Sequence, residues 1–134
     1  MAEEETTKKQ ITFRGKTIDE LKQLDVREFA KFLTSRQRKY VLRHFDEIED
    51  FVTRAKKKMA KSRPIKTHLR DLAIVPGMVG MKLHIHNGRG FLPIEVTGEM
   101  LGHKFGEFAP TRAKTKHGKA GMGATKGSKA KAKK

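Results

Sequence analysis

The hydrophobic period of this chain changes once, at Pro64, and the change separates what the two halves can fold into. Before it, apolar residues recur at helical spacing. Val26, Phe29, Ala30 and Leu33 fall at i, i+3, i+4 and i+7, and Ile48, Phe51, Val52, Ala55 and Met59 form a longer stripe of the same kind. After it the period drops to two, with Met81, Leu83 and Ile85 alternating with Lys82, His84 and His86. Helices followed by strands give an α+β class, here N-terminal helices packed on a small mixed or antiparallel sheet with a β-hairpin.

Local signals set the ends of these elements. Thr17 with Glu20, and Asp25 with Glu28, have the spacing of capping boxes, in which each side chain satisfies an orphan amide of a helix start. Thr34 or Ser35 opens a short helix over residues 36–43, with Tyr40 and Val41 available for packing. In the longest helix Asp46, Glu47, Glu49 and Asp50 lead and Lys56, Lys57, Lys58 and Lys61 follow, the order the macrodipole favours, until Pro64 stops it. Asn87-Gly88 supplies the dipeptide of a type I′ turn. With His86 and Arg89 flanking that turn, Leu83 faces Leu92, Met81 faces Ile94 and Ile85 faces Gly90, while Lys82, His84 and Phe91 share the other face. Thr97 caps a short helix through Met100 and Leu101, and Gly102 and Gly106 punctuate the run to Phe108.

Charge decides how much of the chain can join a core. Residues 54–70 carry eight Lys or Arg and no acid, and residues 112–134 carry nine more and no acid. Subtracting both blocks from the formal net charge of +16 leaves the remainder at −1. Met122 is the one large apolar residue of the last block, which has no hydrophobic period and reads as disordered when free. The expected organisation is a disordered segment over 1–12, a helical segment over 13–64, an α+β core over 65–111 and a basic extended tail over 112–134. The absence of Cys rules out disulfides and thiolate chemistry and fits a reducing cytosol. The acidic start lacks the features of a signal peptide, and the longest apolar stretch, residues 72–81, is too short to span a bilayer. These features point to a soluble cytoplasmic protein without a membrane partner. Clustered cations without acids are an electrostatic footprint for a polyanion, because neutralising phosphates releases counterions.

One family resemblance runs through most of the chain. Thr67-His68-Leu69-Arg70-Asp71, Ile74-Val75-Pro76-Gly77-Met78-Val79-Gly80 and His86-Asn87-Gly88-Arg89 resemble the signature of the small-subunit ribosomal protein S-nineteen family. The likeness continues through Pro93, Val96, Met100-Leu101-Gly102-His103-Lys104 and Gly106-Glu107-Phe108-Ala109-Pro110-Thr111-Arg112. Phe13-Arg14-Gly15, Ser35-Arg36-Gln37-Arg38, Lys116-His117-Gly118-Lys119 and Gly121-Met122-Gly123-Ala124-Thr125 are similar to the archaeal and eukaryotic branch. The resemblance covers residues 13–125, and the Lys/Ala run over 126–134 departs from it. It implies a non-catalytic protein of the small-subunit head bound to the 3′ major domain of the small-subunit RNA. It further implies an S-thirteen family neighbour, and a tail extending toward the decoding region and tRNA rather than a homo-oligomer.

The candidate RNA contacts follow. Block one, with Arg54, Lys56, Lys57, Lys58, Lys61, Arg63, Lys66 and Arg70, reads as phosphate-contacting, because solvated helix faces ordinarily mix signs into i, i+4 pairs. Arg63 and Arg70 lead it, since guanidinium grips phosphate bidentately. The tight turn alone explains Asn87 and Gly88, but nothing in it demands a cation at Arg89, which is therefore expected at RNA backbone. His103 and Lys104 lie in a loop of the resembling motif that can approach RNA, with Glu107 orienting a basic neighbour or capping amides. Arg112, Lys114, Lys116, His117 and Lys119 belong to a tail that can thread RNA grooves closed to a folded domain. A competing chemistry has less support. His84 and His86 on one strand face, with His103 and Glu99 or Glu107, would make a metal site or an RNA-cleaving acid/base pair, but no third ligand stands at a diagnostic spacing and no cofactor is expected. The other alternative is a free-standing nucleic-acid binder, an RNA chaperone or a DNA-compacting protein, which composition alone does not separate from a ribosomal one.

Overall fold

Two positive-φ residues in a row start the architecture. In a computed structural model, which describes residues 10–116, Arg14 (φ 48°) and Gly15 (φ 81°) form the centre of a two-residue hairpin joining β1 (Thr12–Phe13) to β2 (Lys16–Thr17). Positive φ at both central residues is the type I′ requirement. Thr12, assigned to an irregular N-terminus by sequence, thus pairs with Thr17. The expectations for residues 1–9 and 117–134 lie outside the described residues.

Four helices follow. Thr17 closes a capping box on α1 (Ile18–Gln23), with Thr17 N donating to Glu20 Oε2 at 3.2 Å and Glu20 N to Thr17 Oγ1 at 3.4 Å. Asp25 closes the second on α2 (Val26–Ala30). Thr34 occupies the N-cap position of α3 (Ser35–Arg43), which buries Val41, and α4 (Phe45–Ala60) buries Ile48, Phe51 and Ala55. The stripe of α4 ends there. Met59 is 51% exposed, because the last turn runs past the elements that cover Ala55. Nor does Pro64 stop this helix. Ser62 takes φ 51°, Ser62 N donates to Met59 O and Arg63 N to Lys58 O, both at 2.9 Å, which is a Schellman-type closure made before the proline is reached.

The second half builds a three-stranded sheet in the order β3 (Ile65–Thr67), β4 (Lys82–His86), β5 (Phe91–Glu95), with β3 parallel and β5 antiparallel to β4. The hairpin register differs from the sequence expectation by two residues: Leu83 faces Ile94, Ile85 faces Leu92 and His86 faces Phe91. The turn is the cause. Asn87 stays out of the left-handed region and its Oδ1 accepts from Arg89 N (3.0 Å) and Gly90 N (2.9 Å), so residues 87–90 all lie in the loop and Gly88 alone has positive φ. A slip of two preserves which side chains share a face, so the apolar pattern satisfies both registers equally. Pro93, which has no amide to donate, sits on the edge strand β5.

The core lies between the helices and the inner sheet face. Phe29, Leu33, Val41, Ile48, Leu83, Ile85 and Phe105 are all buried, and the Phe51 and Phe105 rings meet at 5.3 Å. Residues 72–75 are buried as an extended segment. Their backbone groups bond to the 102–106 segment, with Ile74 N to His103 O (2.8 Å), Gly102 N to Ile74 O (3.0 Å) and Phe105 N to Leu72 O (3.1 Å). Short 3-10 turns at Pro76–Met78, Gly98–Met100 and Phe105–Phe108 complete the chain. Thr97 holds the N-cap position of the second, without the side-chain bond expected of it. The helices and small mixed sheet make an α+β fold.

Candidate nucleic-acid interface

Because α4 ends with its basic turn clear of the core, Lys56, Lys57, Lys58, Lys61 and Arg63 are all exposed. Among the described residues none of them forms an ion pair, the one such contact being His103 Nδ1 to Glu107 Oε2 at 2.7 Å. The parallel pairing of β3 puts Lys66 beside His84 on the outer face of the sheet. Between α4 and β3 runs a groove of about 370 Å³ bordered by Arg54, Lys58, Lys66, His68 and Leu69. The helix and loop halves of block one therefore share a surface.

That surface continues into rings that the charge pattern of the sequence does not single out. His68 packs on His86 with centroids 4.5 Å apart, and both meet Phe91 edge-on, at 5.1 and 5.0 Å. Lys66 Nζ lies 5.3 Å from the Phe91 ring centre. The one sequence signal is strand parity, which sets His84 and Phe91 on the solvent side. His68 lies outside any strand, so periodicity does not place it. Arg89 is exposed at the hairpin tip.

Arg70 is held differently. Its Nη1 donates to His86 O (2.5 Å) and its Nη2 to Gly106 O (3.0 Å) and Ala109 O (2.6 Å), while Arg70 O accepts from Gly106 N (2.7 Å). Both terminal nitrogens of this guanidinium are turned inward, tying the hairpin to the C-terminal turn. His103 and Lys104 stand apart from block one, toward α3: Lys104 Nζ lies 4.2 Å from the Tyr40 ring centre. Glu107 has both roles foreseen for it, binding His103 and accepting from Lys104 N at 3.4 Å. Arg112, Lys114 and Lys116 are exposed in an irregular segment, and His117 and Lys119 lie outside the described residues. Of the histidines considered for metal, His86 packs against His68 and Phe91 and His103 is bound to Glu107; among the described residues no three His, Asp or Glu side chains gather around one point.

Lysines and arginines gathered around packed aromatic rings have the chemistry that suits phosphates and bases. The model of the family described as "Ribosomal protein S19" matches residues 34–117. The chain belongs to the ribosomal protein S19 family. It is 48% identical over 122 residues to the small ribosomal subunit protein uS19 of Methanocella arvoryzae, covering 91% of this chain and 86% of that one. It is 39% identical over 122 residues to the protein of that name from Methanococcoides burtonii, covering 91% and 88%. These likenesses place it in the archaeal and eukaryotic branch of the S19 family. As an S19 family member it is a small-subunit ribosomal protein that binds ribosomal RNA in translation, and it is not an enzyme.

Proposed function

We propose that this chain grips small-subunit RNA of the head, the 3′ major domain, through the α4–β3 face and the basic tail, and that it does so on cytoplasmic ribosomes. The observation that carries the reading is the continuity of Arg54, Lys58 and Lys66 around one groove with the His68, His86 and Phe91 rings at its end. In this reading Lys56, Lys57, Lys58, Lys61, Arg63, Lys66 and Arg89 contact phosphates. Arg70 acts behind them by fixing the hairpin, while Arg112, Lys114, Lys116, His117 and Lys119 reach toward the decoding region and tRNA. The body docks beside an S-thirteen family protein, as one copy per particle.

Sedimentation tests it. The full chain is expected to co-migrate with small subunits through a high-salt wash, and Lys57→Ala/Lys58→Ala/Lys61→Ala to be released at lower salt than the wild type. Release of the wild type by the wash would instead indicate a free-standing RNA chaperone.

A further inference from the structure

The charge balance of the chain outside its two long blocks conceals shorter acid-free stretches, and one of them lies on α3. Residues 34–45 hold Arg36, Arg38, Lys39 and Arg43 and no acid, offset in sequence only by the carboxylates that open α4. The fold sorts these four. Arg38 folds back over the end of α2 while staying exposed, donating to the carbonyls of Ala30 (3.2 Å), Lys31 (3.1 Å) and Leu33 (3.3 Å). Arg36, Lys39 and Arg43 fall at helical i, i+3, i+7 spacing and open with Tyr40 on a groove of about 600 Å³ between α3 and the 102–107 segment.

Lys104 comes to this groove from a distant part of the chain, its ammonium lying over the Tyr40 ring. His44 stacks on that ring at 4.2 Å, with its own Nδ1 held to Tyr40 O at 3.0 Å. The Tyr40 hydroxyl stays protonated: burial first, then the charges of Asp71 and Glu47, push its pKa up to about 12. Glu107, the carboxylate on the rim, is engaged with His103 and the Lys104 amide. The cations of α3 are thus left without ion-pair partners among the described residues.

We propose that this groove is a second RNA-backbone site, holding phosphodiesters against Arg36, Lys39, Arg43 and Lys104, with Tyr40 and His44 fixing the position of the Lys104 ammonium. It shares no lining residue with the α4–β3 groove. The proposal rests on the RNA-binding reading above and adds a second strand to it. An RNA occupant is favoured over a protein one because the groove offers cations and donors but, apart from Ala73 and the covered Tyr40 ring, no apolar anchor.

The test uses the full chain and a short synthetic RNA stem-loop carrying 4-thiouridine. Arg36→Ala/Arg43→Ala is expected to reduce the slope of log K against log salt by about 1.4–1.8, two phosphates at about 0.7–0.9 each. The same variant should no longer give ultraviolet crosslinks to the peptide carrying Tyr40 and His44. Arg36→Lys/Arg43→Lys should restore most of the slope, and the equal-charge control Lys22→Ala/Lys31→Ala should leave slope and crosslinks as in the wild type. A slope matching the control, with crosslinks confined to residues 54–70 and the tail, overturns the second site and leaves the first standing. No RNA binding by the wild type removes both. Perturbation of the Tyr40 ring signals by a polyglutamate peptide but not by the RNA overturns the proposal in favour of an acidic protein partner.

Discussion

Arg70 shows how a cation within a basic block can serve the fold rather than the solvent. Its fork reaches His86 on β4 and Gly106 and Ala109 in the C-terminal turn, so one planar group fixes the relative position of three segments. A lysine there presents one nitrogen on a flexible stem and cannot span these carbonyls. Arg70→Lys is therefore expected to destabilise the protein by about 2–3 kcal/mol, given that hydrogen bonds to charged groups contribute about 1.5–3 kcal/mol each and deletions within one network do not add. Urea denaturation reads the magnitude. Hydrogen exchange reads the mechanism, with protection falling at the Gly106 and Phe105 amides more than in α4. Unchanged exchange in that segment would mean the tie is not what the arginine supplies. In the sequence, Arg70 is one more member of a cationic block and a guanidinium well suited to phosphate. Residue type gives the valence of a group, but whether it turns to solvent or to a carbonyl depends on which distant backbone arrives, and no local pattern reports Ala109 next to residue 70.

At the scale of elements, helix starts are legible in the sequence and their ends less so. Both capping boxes form because Thr17–Glu20 and Asp25–Glu28 need only neighbours three residues away. Strand faces are equally legible, since alternation alone fixes parity. Register is not, because Asn87 can serve either as a positive-φ turn residue or as an acceptor for the amides of Arg89 and Gly90, and the second use lengthens the loop. A type I′ turn does form, but at Arg14-Gly15, where nothing in the residue types announces it as strongly. The end of α4 follows the same logic. Ser62 makes a left-handed closure that glycine makes without the Cβ penalty, so Pro64 is the more conspicuous stop signal although the chain has already turned. Ser62→Gly is expected to stabilise the fold by up to about 1 kcal/mol, the cost of a left-handed L-residue being about 1–2 kcal/mol, partly offset by the unfolded freedom of glycine. Thermal melting checks it, and a lowered melting temperature would show that Ser62 has a contribution beyond its backbone angle. Because Ser62 links the last helical lysines to Arg63, a firmer closure should also leave RNA affinity intact.

For the molecule as a whole, the distribution of charge constrains function more than its total. A body with a net of −1 outside the two long blocks has little net self-repulsion to disfavour compaction, while the blocks concentrate the excess positive charge of the chain. The α4–β3 groove carries one block on ordered elements; the 112–134 block follows Ala109, the last residue buried in the described core. Stability and RNA affinity should therefore separate on truncation. Deleting residues 113–134 removes eight cations and, for residues 113–116, side chains that are exposed, so the melting temperature and the amide protection of β4 and β5 should stay at wild-type values. The salt dependence of RNA binding should not. Each phosphate that the protein ceases to neutralise lowers the slope of log K against log salt by about 0.7–0.9, so even half of the tail's cations on phosphates would account for roughly three units. The residual slope of the truncated chain then measures what the folded surface holds alone. If protection of the hairpin fell with the deletion, tail and body would be one cooperative unit. If the slope did not move, the tail would be no part of the grip, and the two acid-free blocks would need separate explanations.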